Sequence, residues 1–271
     1  MLRITSPANA RLREALRLVE SARERRKSGR CVLEGAHLLA VYRERHGAPE
    51  LVIVTEDALS RDEVRLLVDA LPPANVVAVP TRLIAEHTAV PPEVGVLAVV
   101  PAPRGTPRLD GRLTLLVEDV QDPGNVGSML RTAAAAGCEQ VLLSRDCAFA
   151  WSPKVLRAGQ GAHFLTHIAE DVDLVEWLER FRGAASASAP ALAGSGMAVA
   201  TVARDGEDVF TAPLRAPLAV AVGNEGAGLS AALAEACDVR VTIPMAGGSE
   251  SLNAAAAAAV VLFEAVRQLR S

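Results

Sequence analysis

Aromatic residues are scarce in this chain of 271 residues: Phe, Trp and Tyr together make up 3 %, with a single Tyr. Its core must therefore be filled by Ala, Val and Leu, and with half the residues hydrophobic there is enough apolar material for a sizeable one. Cysteines are also few. Cys31, Cys138, Cys147 and Cys237 are scattered without a CxxC pair, which excludes a disulfide framework or a zinc ribbon and fits reduced, partly buried thiols. No uncharged apolar run is long enough to span a bilayer; the longest candidate, Leu252 to Phe263, is too short. The N-terminus is arginine-rich and lacks the apolar stretch of a secretory signal, so a cytoplasmic location is expected. His163 and His167 stand four residues apart, a spacing that suits a metal on a helix. No third ligand lies nearby, and no metal is expected.

What is present is unevenly spread. Residues 1–30 carry nine Lys/Arg (Arg3, Arg11, Arg13, Arg17, Arg23, Arg25, Arg26, Lys27 and Arg30) against three Glu, although the chain as a whole has a net charge of −4. A basic end on an acidic body points to a polyanion contact there, or to a solvated helix face.

Strand and helix patterns alternate, which indicates α/β layering. Ser6 and Pro7 read as the cap and first residue of a helix carrying Leu12, Leu16 and Val19. Strands are expected at 31–33, 51–55, 75–80 and 94–100. The run "PAPRGTPRLDGR" at 101–112, with three prolines and two glycines, is the best linker. After it come a strand at 113–120, the turn "QDPGNVG", a helix ending at Gly137 and a strand at "QVLLS". A mainly helical stretch follows at 152–182, then strands at 196–203, 217–223 and 239–245. The last helix spans about Leu252 to Arg270. The small-residue run 183–196 reads as a surface connection.

Three segments follow strands, where open α/β sheets bind ligands. "DPGNVGSMLRTAAAAG" (122–137) places Asn125 at a helix start and Arg131 six residues on, both able to face one pocket. "AVAVGNEGAGLS" (219–230) ends a strand in glycines. Its spacing is neither that of a dinucleotide fingerprint nor that of a P-loop, and Glu225 disfavours a phosphate. "VTIPMAGGSESLNAAAAAAVVLF" (241–263) sets Ser251 and Asn253 at the mouth of an alanine-rich helix. Either residue would cap that helix, but capping alone does not account for both. The alanines offer a surface that another backbone can approach closely.

Taken in order, the three segments resemble the motifs of the SpoU (TrmH-like) branch of the SPOUT RNA methyltransferases. The N-terminal "ITSPANARLREALRL" and "CVLEGAHLLAVY" more loosely resemble the L30e-like substrate-binding domain often fused to them. The resemblance implies an L30e-like α/β domain at 1–100, a linker at 101–112 and an α/β-knot methyltransferase domain at 113–271. That second domain would be a trefoil-knotted, mostly parallel sheet with helices on both faces. It also implies S-adenosylmethionine as cofactor, a homodimer whose site is completed across the interface, and methyl transfer to a ribose 2′-hydroxyl of structured RNA, with rRNA favoured over tRNA.

Carried over residue by residue, Gly223, Asn224, Gly226, Ile243, Met245 and Leu252 match cofactor-contacting positions. Asn125, Arg131, Glu225, Ser251 and Asn253 match the catalytic set. None of the five histidines falls in the motifs. The family's base is Arg131, whose guanidinium stays protonated, so a phosphate-holding role stands beside that of a base. Arg11, Arg13, Arg17, Arg25, Arg26 and Lys27 are the expected RNA contacts. With Tyr42 the lone N-terminal aromatic, recognition of backbone and shape is favoured over base stacking. The alternative reading is an RNA-binding or ribosome-assembly factor without turnover.

Overall fold

Short β-branched and aliphatic runs bounded by Pro, Gly and polar residues form the strands. In the computed structural model, residues 1–88, 94–187, 196–247 and 251–270 are described. The chain divides into two compact units. One comprises Met1–Pro103 and Trp151–Phe164, the other Arg104–Ala150 and Leu165–Ser271.

The first unit is built from β1 (Leu2–Arg3), α1 (Ala10–Glu20), α2 (Ala22–Ser28), β2 (Arg30–Glu34), α3 (Ala36–His46), β3 (Leu51–Thr55), α4 (Asp62–Asp69), β4 (Val76–Val79) and β5 (Val96–Pro101). Its five-stranded sheet has the order β1-β4-β3-β5-β2, parallel through β1, β4 and β3 and antiparallel around β5. Leu12, Leu16 and Val19 of α1 pack with Val32, Ile53, Val77 and Leu97 in one apolar cluster. The cap of α1 is Asn9 rather than the expected Ser6. Its Oδ1 accepts from the backbone N–H of Arg11 and Leu12, so the helix starts three residues later than Pro7 suggests.

The second unit contains β6 (Leu113–Val117), α5 (Pro123–Ala136) and β7 (Gln140–Leu143). The excursion α6 (Pro153–Gly159) belongs to the first unit. There follow β8 (His167–Ala169), α7 (Leu174–Ala187), β9 (Met197–Thr201), β10 (Glu207–Asp208), β11 (Leu218–Val222), α8 (Ala231–Ala236), β12 (Val239–Thr242) and α9 (Ala254–Leu269). Its seven-stranded sheet is parallel throughout, in the order β10-β12-β9-β11-β6-β7-β8. Strands of an all-parallel sheet are covered on both faces, hence the unbroken burial of "LTLLV" and "LAVAV".

Several expectations shift. The division between the units falls at Pro103/Arg104, within the expected linker 101–112, but α6 returns to the first unit, where Arg157 Nη1 donates to Glu34 Oε2 at 3.1 Å. The Glu34 side chain is 1 % exposed, and burial raises its pKa above the usual carboxylate value. "QDPGNVG" is not a free turn: Asp122 caps α5 and Pro123 is its first residue, so the helix begins before Asn125. The stretch 152–182 contains strand β8. His163 lies in a 3₁₀ turn and His167 in β8, so the two do not share a helix. Of the connection expected at 183–196, residues up to Ala187 belong to α7 and 188–195 lie outside the described residues. Among the described residues no helix is long and apolar enough to cross a membrane.

Candidate active site

β6, β9 and β11 run parallel, so Val117, Thr201 and Val222 end along one edge of the sheet. From β6 the chain moves to β7 and β8 on one side. The later strands β11, β9 and β12 lie on the other. Strand order thus reverses between β11 and β6, and ligands of open α/β sheets gather beyond the carboxyl ends near such a point.

A cavity of about 540 Å³ occupies that edge, within the range of small-molecule sites. Its walls are Thr201–Arg204 after β9, Val222–Leu229 after β11, Ile243 and Met245 after β12, and Ser251, Leu252, Ala254 and Ala257 at the start of α9. The loop after β11 is held by its own backbone: Asn224 N donates to Gly228 O at 3.1 Å, and Gly228 N donates to Asn224 O at 2.8 Å. Asn224 Oδ1 accepts from the N–H of Gly226 (2.8 Å) and of Ala227 (3.1 Å). A Cβ at Gly223 would lie 2.3 Å from the carbonyl of Gly228, so this position admits no side chain. At Gly226 a Cβ would meet only Asn224 Oδ1, at 3.5 Å. Packing therefore does not demand glycine there, and its backbone is open to a ligand.

The polar residues of the three segments form one chain. Asn125 Nδ2 donates to Glu225 Oε1, and Asn253 Nδ2 donates to Asn125 Oδ1 at 2.9 Å. Asn253 Oδ1 caps α9, accepting from Ala255 N at 2.9 Å and Ala256 N at 3.3 Å. Of the two candidate caps of that helix, Asn253 fills the role and Ser251 is left on the cavity wall. α5 and α9, which carry Asn125 and follow Asn253, pack side by side.

Arg131 is not part of this chain. Six residues at 100° each put it about 120° around α5 from Asn125, so the two do not share a face. It is exposed and, among the described residues, makes no hydrogen bond or ion pair.

Within the first unit, Arg13, Arg17, Arg26 and Lys27 are exposed on α1 and α2, while Arg11 donates to Ala74 O at 3.0 Å. The expectation for Arg25 does not hold. It is 5 % exposed and its Nη1 donates to the carbonyls of Leu18 (2.6 Å) and Val19 (2.8 Å) at the end of α1. That burial lowers its pKa from the ordinary guanidinium value. It closes a helix end and leaves nothing for a phosphate.

The model of the SpoU rRNA Methylase family matches residues 112–263, which spans the whole crevice. The chain belongs to the SpoU rRNA Methylase family. Over 98 % of its length it is 33 % identical to a Synechocystis protein named uncharacterized tRNA/rRNA methyltransferase slr1673, of which 93 % is covered. It is 30 % identical to the 23S rRNA (guanosine(2553)-2′-O)-methyltransferase RlmP of Bacillus subtilis, over 97 % of this chain and 98 % of that protein. The crystal structure of the SpoU methyltransferase AviRb from Streptomyces viridochromogenes, in complex with the cofactor AdoMet, superposes with a TM-score of 0.79 at 29 % identity. It covers 96 % of this chain and 98 % of that one.

Two groups of site residues in this SpoU chain escape a sequence reading. Thr201–Arg204 line the cavity from the end of β9, and their signal is only that β9 neighbours β11. Asp119, with φ +55°, donates nothing to the cavity but accepts from Asn224 Nδ2 through its backbone carbonyl at 2.9 Å.

Proposed function

We propose that this chain methylates a ribose 2′-hydroxyl of structured ribosomal RNA with S-adenosylmethionine, acting as a cytoplasmic homodimer. The observation that carries this reading is the joining of Asn125, Glu225 and Asn253 beside a strand-end cavity whose walls combine glycine-rich backbone and apolar side chains with a few polar groups.

The cavity suits S-adenosylmethionine. Ile243, Met245 and Leu252 offer apolar contact to the nucleoside, and the backbone at Gly226, which no side chain covers, is open to it. When bound, the cofactor supplies an electrophilic methyl group on a sulfonium, and positioning and electrostatics fall to the protein. Glu225, fixed through Oε1 by Asn125, keeps Oε2 for a ribose hydroxyl. Ser251, on the wall, adds a second hydrogen-bonding group. The Arg131 guanidinium holds a phosphate of the substrate bidentately.

The outward side of α9 supports a dimer. Ala256 is exposed, Val260 is half-buried and Phe263 is 50 % exposed, on successive turns of one face. On this reading the site is completed across that interface, with Arg131 contributed from one copy to the other. The exposed Arg13, Arg17, Arg26 and Lys27 of the first unit, here read as L30e-like, supply phosphate contacts. The trefoil knot of the α/β-knot fold belongs to the same reading.

The test is product analysis. Ribosomal RNA incubated with the protein and methyl-labelled S-adenosylmethionine, then digested to nucleosides, yields label on a 2′-O-methyl nucleoside by mass spectrometry. Label on a base, or no label on any ribosomal RNA offered, refutes the proposal.

A further inference from the structure

Asp119 is one of four described non-glycine residues with a positive φ, at +55°. A left-handed backbone is tolerated by Asp and Asn better than by other side chains, but it is sparsely populated and needs fixing by its surroundings. Here the fixing is explicit. Ser144 Oγ donates to Asp119 Oδ1 at 2.6 Å, and Asp119 N donates back to Ser144 Oγ at 2.9 Å. The two residues follow β6 and β7, so the lock ties together the ends of neighbouring strands. In this conformation the Asp119 carbonyl accepts from Asn224 Nδ2 at 2.9 Å. The other end of the Asn224 amide then holds the N–H groups of Gly226 and Ala227. Glu225 lies between those contacts and meets Asn125.

We infer that Asp119 is a positioning residue: its strained backbone, locked by Ser144, sets the Asn224 amide and through it the loop that presents Glu225 and the open Gly226 backbone. This rests on the methyltransferase reading for its consequence in turnover, but not for its structural part. Asp119 itself does not line the cavity. Its carbonyl acts on the loop through the Asn224 amide, which distinguishes it from the wall residues.

Two substitutions separate backbone from side chain. Asp119→Gly accepts φ +55° but loses the acceptor for Ser144. Asp119→Asn accepts the same φ and keeps a side-chain oxygen for Ser144. Amide hydrogen exchange at Gly226, Ala227 and Gly228, read in the ligand-free full chain, reports the loop directly. Asp119→Gly and Ser144→Ala are expected to speed that exchange by on the order of tenfold, while Asp119→Asn behaves as the parent chain. Turnover of S-adenosylmethionine on ribosomal RNA falls by on the order of tenfold to a hundredfold in Asp119→Gly and Ser144→Ala. Most of the loss lies in kcat and little in RNA affinity, and Asp119→Asn restores the parent value. Loop exchange in Asp119→Gly equal to that of the parent overturns the inference, whatever the activity. If the parent chain itself transfers no methyl group, the function proposal falls, and the exchange measurement still decides the role of Asp119.

Discussion

Asn253 Nδ2 donates to Asn125 Oδ1 at 2.9 Å across 128 residues of chain, and the same Asn253 caps α9 through its Oδ1. One side chain thus starts a helix and orients the partner of Glu225. Asn253→Ala removes both roles. A lost cap costs about 1 kcal/mol, and the freed Asn125 amide lets Glu225 turn away. Asn125→Asp keeps the shape but offers no N–H to Glu225. It is expected to lower turnover at least tenfold with a shift in Tm of only a few degrees. Thermal melts beside single-turnover rates check the pair. Equal rates in Asn125→Asp and the parent would remove this contact from the account.

Gly223→Ala places a Cβ against the Gly228 carbonyl at 2.3 Å and Leu229 N at 2.4 Å, both backbone atoms that cannot swing away. The strain, about 1–3 kcal/mol by analogy with overpacked cores, should distort the loop and abolish cofactor binding. Gly226→Ala meets only one side-chain atom at 3.5 Å. It should keep the parent Tm and weaken only ligand binding. Melting curves that rank the two variants the other way would refute the distinction.

The alanines of α9 divide by face. Ala258 is fully buried, and Ala258→Leu should destabilise the fold by about 1–3 kcal/mol. Ala256 is exposed in the single chain, as is Phe263. Ala256→Leu and Phe263→Asp should leave the fold intact and shift the sedimentation profile from dimer towards monomer. A monomeric parent chain would remove the dimer from the proposal.

Burial pushes the Cys237 thiol up to about 12, with Arg182 offsetting part of the effect. Cys138 is raised to about 12, chiefly by burial. Thiolate is the reactive form, so native protein at pH 8 should leave both unlabelled by iodoacetamide until urea is added. For stability, the folded thiols keep their protons where unfolded ones lose them. The folded state therefore binds more protons above the unfolded value of about 8.5, and stability falls as pH rises beyond it. Tm that rises between pH 8.5 and 10 would contradict this sign.

Basic residues of the first unit should behave in two classes. Arg13→Ala with Arg17→Ala should weaken RNA binding and flatten its salt dependence at unchanged Tm. Arg25→Ala should instead destabilise the unit by about 1–3 kcal/mol, because the Leu18 and Val19 carbonyls lose their donor. A filter-binding titration over a range of salt, paired with melting, separates them.

The sheets were legible because "LVIVT", "LTLLV" and "LAVAV" are short, mostly aliphatic runs rich in valine and flanked by polar, Pro or Gly residues, the pattern of buried strands. The crevice was legible because Gly223, Glu225 and Asn253 interrupt such patterns at strand or helix ends. Local pattern could not say that Asn125 bonds Glu225 and Asn253, since those contacts join segments about a hundred residues apart. Nor does any periodicity mark α6 as part of the first unit, or Arg25 as a buried cap within a run of solvated arginines. Thr201–Arg204 carry no chemical signature at all. They reach the cavity only because β9 lies beside β11.

The central claim is that the crevice between β9, β11 and the start of α9 binds S-adenosylmethionine. Calorimetric titration of the full chain with S-adenosylmethionine tests it most directly. One site per chain is expected, abolished by Gly223→Ala and retained in Phe263→Asp. A parent chain that takes up no S-adenosylmethionine, or a Gly223→Ala chain that binds it as tightly as the parent, would contradict the account.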